Sequence, residues 1–453
     1  MSFNLCESNV KNVSVVHDST KSKMEFDSQE NYVVTEIVPE TSSNHSVTTI
    51  LGYCKRKMLN PYLRILSFMG LRPLVNIQEN SPILELINCL YIVILIFFMV
   101  LGYILQYMSC FRRDRGFWYN IPHSNLYGTK NNDEKAIQEN ICYGSTIFSF
   151  ILPSSLHFVA YIHAIYTLRC SDDDQLPVLM ERVILASSNL SNGFVVQKKL
   201  MKTLWIFIVI SMIWMLMSCI SIASMITEGN IDFRWIPSER SNILDTTLKV
   251  LLVVSILWHD MVEAIIISNY CLQSQLLMSY VFFLRERLLQ HAIEPIKWMR
   301  EIEEFKKMLQ YLNSEVAKSV SLFTLINISY ALSGLLWLFK LDFVDKETLP
   351  IFGISVLIIL LWFSIAIIPL VQAIRLTNAC ERLKEVGQAV RVRPFVHSGT
   401  PGSELDSVLL YTSSLKIHAI LYGNRITGSL FCFCFVIACI IVMVLGMCHY
   451  LSF

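Results

Sequence analysis

Six ionisable residues sit inside otherwise apolar stretches of this chain: His157, His163, Lys249, His259, Asp260 and Glu263. A charge in such surroundings is costly, so each group must face protein or water rather than hydrocarbon. Histidine and carboxylate together could hold a metal that activates water, relay a proton, or form a buried pair. His157 and Asp260 each lie 16 residues from the start of their apolar stretch, and the two stretches run in the same direction. At 1.5 Å per residue both sit about 24 Å in. Equal depth predicts a buried pair or hydrogen bond between His157 and the His259–Asp260 region. A structural polar contact is the plain reading of that pair and ligand binding the sharper one.

Tyr161, Trp214, Trp258, Asn327 and Tyr330 could line a pocket for a small organic molecule, since such pockets combine aromatic walls with a few polar groups. The alternative is packing between helices or anchoring at membrane interfaces. A catalytic zinc would need several His and an Asp converging on one ion. His157, Asp260 and His449 are available, but His449 lies near the outer end of its stretch and no second His accompanies it. The 13 Cys are scattered without metal-type spacing. No metal, cofactor or catalytic residue is therefore expected. Asp172-Asp-Asp174 reads as a solvated loop.

The elements that must position these residues are membrane spans. Seven stretches have the roughly 20 apolar residues that cross a hydrocarbon core of about 30 Å: residues 82–108, 141–168, 203–227, 244–284, 319–339, 350–374 and 426–452. The whole chain is 453 residues long, 54% hydrophobic, with net charge +1 and mean hydropathy +0.50. This excludes a large soluble domain and gives no basis for a nucleic-acid partner. Residues 1–54 are polar, lack the apolar run of a signal peptide, and are expected to form a disordered cytoplasmic tail. No inverted repeat of the transporter kind is visible.

Sorting Lys and Arg by side of the membrane places 27 on one face and 9 on the other, with Lys249 inside span four. Short cytoplasmic loops retain positive charge, so the heavy face is inside, the N-terminus cytoplasmic and the C-terminus extracellular. Three sequons in the polar segments, at Asn12, Asn44 and Asn189, all fall on that inner face. Cys110 and Cys142 both lie at outer span ends, where a disulfide is chemically allowed but sequence does not supply the Cα separation.

The inner loops carry structure of their own. In 285–318, Ile302, Phe305, Leu309, Leu312 and Val316 recur with helical spacing between Glu301, Glu303, Glu304, Lys306 and Lys307. Either one amphipathic helix rests on the membrane, or spans four and five continue into the cytosol and pack there. The mixed charges favour the second reading. Span six extends inward through Leu383 and Val390 until Pro394 stops it. After the break at 398–403, Ser403 is placed to N-cap a helix with Glu404 and Asp406 in its first turn and a stripe of Leu405, Val408, Leu409, Thr412 and Leu415.

The expected fold is all-α: a seven-transmembrane helical bundle with cytoplasmic helical extensions. Its divisions are the tail 1–54, spans one to four in 55–284, a cytoplasmic helical region 285–318, spans five and six in 319–374, an extension and re-entry helix in 375–425, and span seven in 426–453. This layout, with almost nothing after span seven and the segment YLRILSFMGLRPL at residues 62–74, resembles the insect chemoreceptor family, in particular its gustatory-receptor branch. That branch usually carries Thr-Tyr, five residues, then Gln-Phe in span seven. Here Leu445 and Gly446 stand for Thr-Tyr, and Ser452-Phe453 for Gln-Phe. The chain is thus expected to be a divergent or gustatory-receptor-like member.

The resemblance implies a homo- or hetero-tetrameric ligand-gated cation channel at the plasma membrane, its partners cations, lipid bilayer and a small organic tastant, its pore lined by span seven. The span's face of Cys434, Ala438, Ile441, Leu445, Cys448 and Ser452 would then look inward, with Ile441 and Leu445 as a dewetting constriction and Ser452 near the outer mouth. Ordinary close packing through small residues is the other reading of that face. Two further seven-span classes compete. A G-protein-coupled receptor faces the opposite way, and Glu181-Arg-Val183 falls after span two rather than span three. An intramembrane zinc hydrolase of adiponectin-receptor type shares the orientation but needs the metal ligands discussed above.

Overall fold

The computed structural model describes residues 51–74, 82–114, 146–170, 175–188, 193–228, 233, 242–338, 349–392 and 399–451. All of it belongs to the compact unit His45–Phe453. The architecture is mostly helical. Most of the expected tail, 1–50, lies outside the described residues, but the tail boundary drawn at 54 falls inside structure. Residues 51–54 are already helical, and Cys54 is buried, its Sγ donating to Met201 Sδ at 2.8 Å.

A π-helical turn, Lys55–Leu59, leads into α1 (Asn60–Phe68), which buries Tyr62 and Leu66. Gly70 ends it with φ 75°, and the amides of Gly70 and Leu71 return to the carbonyls of Ser67 and Leu66 at 3.0 Å. Glycine suits the position, because a Cβ there would stand 2.7 Å from Leu95 Cδ1 in a backbone conformation L side chains rarely adopt. Then come α2 (Pro82–Met108), the π turn Ile147–Ile151 with α3 (Leu152–Cys170), α4 (Gln175–Ser188) and α5 (Gly193–Glu228). The central element is α6 (Asn242–Leu289), 48 residues long and the most buried of the long apolar helices. It packs against α2, α4, α5 and later α9.

His291, with φ 55°, closes α6, and Pro295 opens α7 (Pro295–Tyr311), its missing N–H falling where a helix leaves amides unpaired. A π turn, Leu312–Val316, joins α7 directly to α8 (Ala317–Leu338). Thus 285–318 is a continuation of two long helices rather than a separate surface helix. The five seam residues, Ile302 to Val316, are all buried. They are buried within this chain: Trp298 donates its indole N–H to Leu284 O at 2.9 Å, Phe305 meets Tyr280, and Arg287 pairs with Glu301 at 3.0 Å.

The last third contains α9 (Leu349–Lys384), α10 (Val386–Arg391), α11 (Gly402–Ser414), a hairpin of β1 (Ile420–Leu421) and β2 (Asn424–Arg425), and α12 (Gly428–Leu451). Leu383 on α9 and Val390 on α10 are buried, and Pro394, expected to stop the helix, lies outside the described residues. Ser403 is not the N-cap of α11. Pro401 takes that place, with ψ 136°, and its carbonyl accepts the Glu404 amide at 3.0 Å without any side-chain cap. The hairpin departs from the all-α expectation. Tyr422 and Gly423, φ 54° and 72°, form the two-residue turn that a tight antiparallel pair favours. Thr427 then caps α12, accepting the Leu430 amide on Oγ1 at 3.3 Å.

Among the described residues six helices are long and apolar enough to cross a membrane: Pro82–Met108, Ile147–Arg169, Gln197–Ile226, Ile243–Leu289, Pro295–Leu338 and Phe352–Arg391. A shorter apolar helix, Gly428–Val444, lies where span seven was expected.

Candidate functional site

Where α2 ends against α5, α6, α8 and α9, the bundle holds a buried chain of charged and aromatic groups. Just past α2, Arg113 places Nη2 3.0 Å from Asp260 Oδ1 on α6, and Ser218 on α5 donates to Asp260 Oδ2 at 2.5 Å. The Arg113 guanidinium lies 5.7 Å from the Trp362 ring centre, and the Trp362 indole N–H returns to Arg113 O at 3.1 Å. Residue 113 is thereby held from both ends by α6 and α9. Arg112 pairs with Asp114 at 2.6 Å, and Ser333 on α8 donates to the same carboxylate at 2.6 Å. One turn along α6 from Asp260, Glu263 accepts from Asn327 Nδ2. The charges are therefore mostly matched within the protein, as buried charges must be.

Between Arg113, Ser218, Asp260, Trp214, Leu361 and Trp362 lies a cavity of about 20 Å³. That suffices for a water molecule, whereas small-molecule pockets run from about 300 Å³. Trp214 and Tyr330 both reach Trp362, at 6.2 and 5.2 Å between ring centres, and the Trp214 N–H donates to Leu361 O at 3.1 Å. An organic ligand would need these rings to part.

A second cluster lies beside it. The Tyr103 hydroxyl on α2 hydrogen-bonds with His157 Nδ1 at 2.7 Å, and its ring stacks on His259 at 4.5 Å. His259 accepts from Gln106 Nε2 on its Nδ1 at 2.9 Å and donates from Nε2 to Met99 O at 3.2 Å, a pattern that sets one tautomer. His157 and His259 meet edge to face, 5.4 Å between centres.

Of the expected pair, both members are buried, but they face different partners. His157 meets His259 and Tyr103, while Asp260 turns to Arg113 and Ser218, because residues 259 and 260 diverge by about 100° around a helix. The five pocket candidates do not form one site. Trp214 and Tyr330 gather at Trp362, and Asn327 bonds Glu263. Tyr161 donates to Met69 O at 2.9 Å, and Trp258 packs edge-on to Phe68 and Phe98. Arg113 and Trp362 were missed by sequence reasoning. Arg113 counted only as an outer-loop charge, and Trp362 gave no signal beyond its hydrophobicity.

Among the described residues no three His, Cys, Asp or Glu gather as metal ligands. Cys110 is disulfide-bonded, and Cys142 lies outside the described residues. On α12, Ile441 is 53% exposed, and Cys434, Val436, Ile437, Ile440 and Met443 are exposed around it. A Cβ added at Gly428 would stand 3.9 Å from Ile374, Phe435 lies 6.2 Å from Phe363 on α9, and Phe431, Ala438 and Val442 are half-buried along the helix. The side chains of Leu445 and Cys448, and all of Ser452, lie outside the described residues.

No protein-family profile matches the chain, and no curated protein is similar to it in sequence. Among solved structures, it is similar to the insect olfactory receptor OR5 from Machilis hrabei, with TM-score 0.54 and 10% identity over 86% of this chain and 97% of that one. The same receptor in complex with eugenol gives TM-score 0.54 and 10% identity, over 89% of this chain and 98% of that one. The fold of this chain is thus that of an insect olfactory receptor.

Proposed function

We propose that this chain is a chemosensory receptor of gustatory type, working at the plasma membrane as a tetrameric ligand-gated cation channel. Its N-terminus is cytoplasmic, α12 is the seventh span, and its C-terminus is extracellular. The observation that carries the reading is α12 itself. An apolar helix of 24 residues with Phe433, Phe435, Val436, Ile440, Ile441 and Met443 exposed fits a position against copies of itself around an axis. Ile441 and Leu445 would form the constriction, with Cys448 and Ser452 beyond it toward the outer mouth.

The solved olfactory receptor has been captured with eugenol. In this chain a small organic ligand is assigned to the region of Trp214, Tyr330 and Asn327, where the small cavity between Arg113 and Trp362 opens on binding. Tyr161 and Trp258 flank the inner approach beside α1. A receptor without channel activity is the competing reading. A zinc hydrolase is disfavoured by the divergence of His157 and Asp260.

Whole-cell recording with candidate tastants tests the proposal, repeated on Ile441→Ala and Leu445→Ala. Altered gating or selectivity in these variants is the expected result. Reproducible ligand-evoked currents unchanged by both substitutions would remove α12 from the pore.

A further inference from the structure

The edge of the bundle where α1 meets α5 gathers positive charge beside exposed aromatic rings. Residues 51–68 are helical, burying Cys54, Met58, Leu59, Tyr62 and Leu66 on one side. The other side exposes Lys55, Arg56, Lys57 and Arg64. The Cys54–Met201 hydrogen bond and the packing of Met58 and Leu59 with Leu204 and Ile208 set this segment against the start of α5. There Lys198, Lys199 and Lys202 are exposed. Tyr53 and Trp205, 52% and 41% exposed, flank the basic group, and Ile65 and Phe68 continue the apolar edge beyond it.

Two facts distinguish this edge from an ordinary solvated face. Residues 51–68 contain no acid, and α5 contains none before Glu228 at its far end. None of the seven cations is in an ion pair among the described residues, whereas nearby Arg182, Arg287, Lys306 and Lys307 are matched with Glu304, Glu301, Glu303 and Glu304. Cations unpaired among the described residues, beside interfacial aromatics and at the level where α5 turns apolar, complement a layer of phosphate above hydrocarbon.

We propose that this edge binds anionic phospholipid headgroups of the cytoplasmic leaflet. Lys55, Arg56, Lys57, Lys198, Lys199 and Lys202 meet the phosphates, and Arg64 reaches back to them from beside the acyl chains. Tyr53 and Trp205 sit at headgroup level. A soluble acidic protein would satisfy the cations and leave Ile65 and Phe68 in water, which is why lipid is the occupant. The assignment to the inner leaflet rests on the orientation proposed above.

The test uses the full chain in nanodiscs of phosphatidylcholine alone or mixed with phosphatidylserine, with retained lipid counted by native mass spectrometry. Wild type should retain phosphatidylserine over phosphatidylcholine. The triple variants Lys55→Gln/Arg56→Gln/Lys57→Gln and Lys198→Gln/Lys199→Gln/Lys202→Gln should each lose about tenfold of that preference or more. Lys306→Gln/Lys307→Gln should leave it intact. If a triple variant does not fold, Lys202→Gln alone and a salt titration of wild type take its place, both expected to weaken retention. Absence of preference in wild type, or equal preference in all variants, overturns the proposal. Retention is blind to orientation, so that premise is tested separately by labelling Lys57→Cys with an impermeant thiol reagent on intact cells. Labelling from outside above the level of wild type, whose own cysteines set the background, would defeat the inner-leaflet assignment while leaving the lipid result to stand or fall alone.

Discussion

Arg113 and Asp260 form an ion pair of 3.0 Å between the end of α2 and the middle of α6, with both side chains almost wholly removed from solvent. Removing one partner strands the other, which costs about 3–5 kcal/mol, whereas replacing both by apolar side chains of similar size is often neutral. Asp260→Ala is therefore expected to lower the thermal unfolding midpoint of the detergent-purified protein sharply. Arg113→Met/Asp260→Leu should recover most of the loss. A double variant as unstable as the single one would mean that the pair does more than balance charge.

The α2–α6 crossing turns on one glycine. A Cβ at Gly102 would stand 2.7 Å from His259 Cε1 and 2.9 Å from Ser255 Cβ, so Gly102→Ala must push α2 off α6 or displace the His259 ring from Tyr103. Overpacking of this kind costs about 1–3 kcal/mol. Gly353, on α9, has nothing within 4 Å of the same added atom. Gly353→Ala should stabilise by about 0.5–1 kcal/mol, through helix propensity alone. Paired unfolding curves for the two substitutions check both signs.

Trp298 fastens α7 to the end of α6. It is fully buried, donates to Leu284 O, and stands edge-on to Tyr411, whose hydroxyl donates to Glu303 at 2.9 Å. Burial and the Glu303 carboxylate hold that hydroxyl above the usual tyrosine range, so it stays a donor. Trp298→Ala should cost about 3–5 kcal/mol, and Trp298→Phe about 1 kcal/mol for the lost hydrogen bond. If tetramers form through this region, size-exclusion chromatography should show Trp298→Ala losing the oligomer while Tyr411→Phe keeps it.

How far the sequence foretold this fold differs from residue to residue. The seam Ile302 to Val316 was legible because burial on one helix face leaves a period in the chain. Its partner was not, since a helical stripe looks the same whether it meets another subunit, a membrane, or the α6 of its own chain. Ser403 misled for a local reason: a good capping side chain stood two residues from Pro401, whose backbone geometry already made the turn. Equal depth brought His157 to the level of His259 and Asp260, but depth carries no azimuth, and one residue of rotation decided which neighbour it met. Arg113 was hidden because its partner lies 147 positions away in sequence and no local pattern records that.

Orientation is the part of the proposal most directly open to experiment. With 27 basic residues on one face against 9, and none of the sequons at Asn12, Asn44 and Asn189 on the lighter face, two independent features of the sequence agree. Oligosaccharyl transfer occurs only on the luminal side, which becomes extracellular. The full chain expressed in a glycosylating cell should therefore show no endoglycosidase-sensitive shift. Tyr127→Thr, which completes a sequon at Asn125 between α2 and α3, should introduce one. A native glycan at Asn12, Asn44 or Asn189 would invert the topology, carry the basic edge of α1 and α5 to the outer leaflet, and turn the mouth proposed for α12 toward the cytosol.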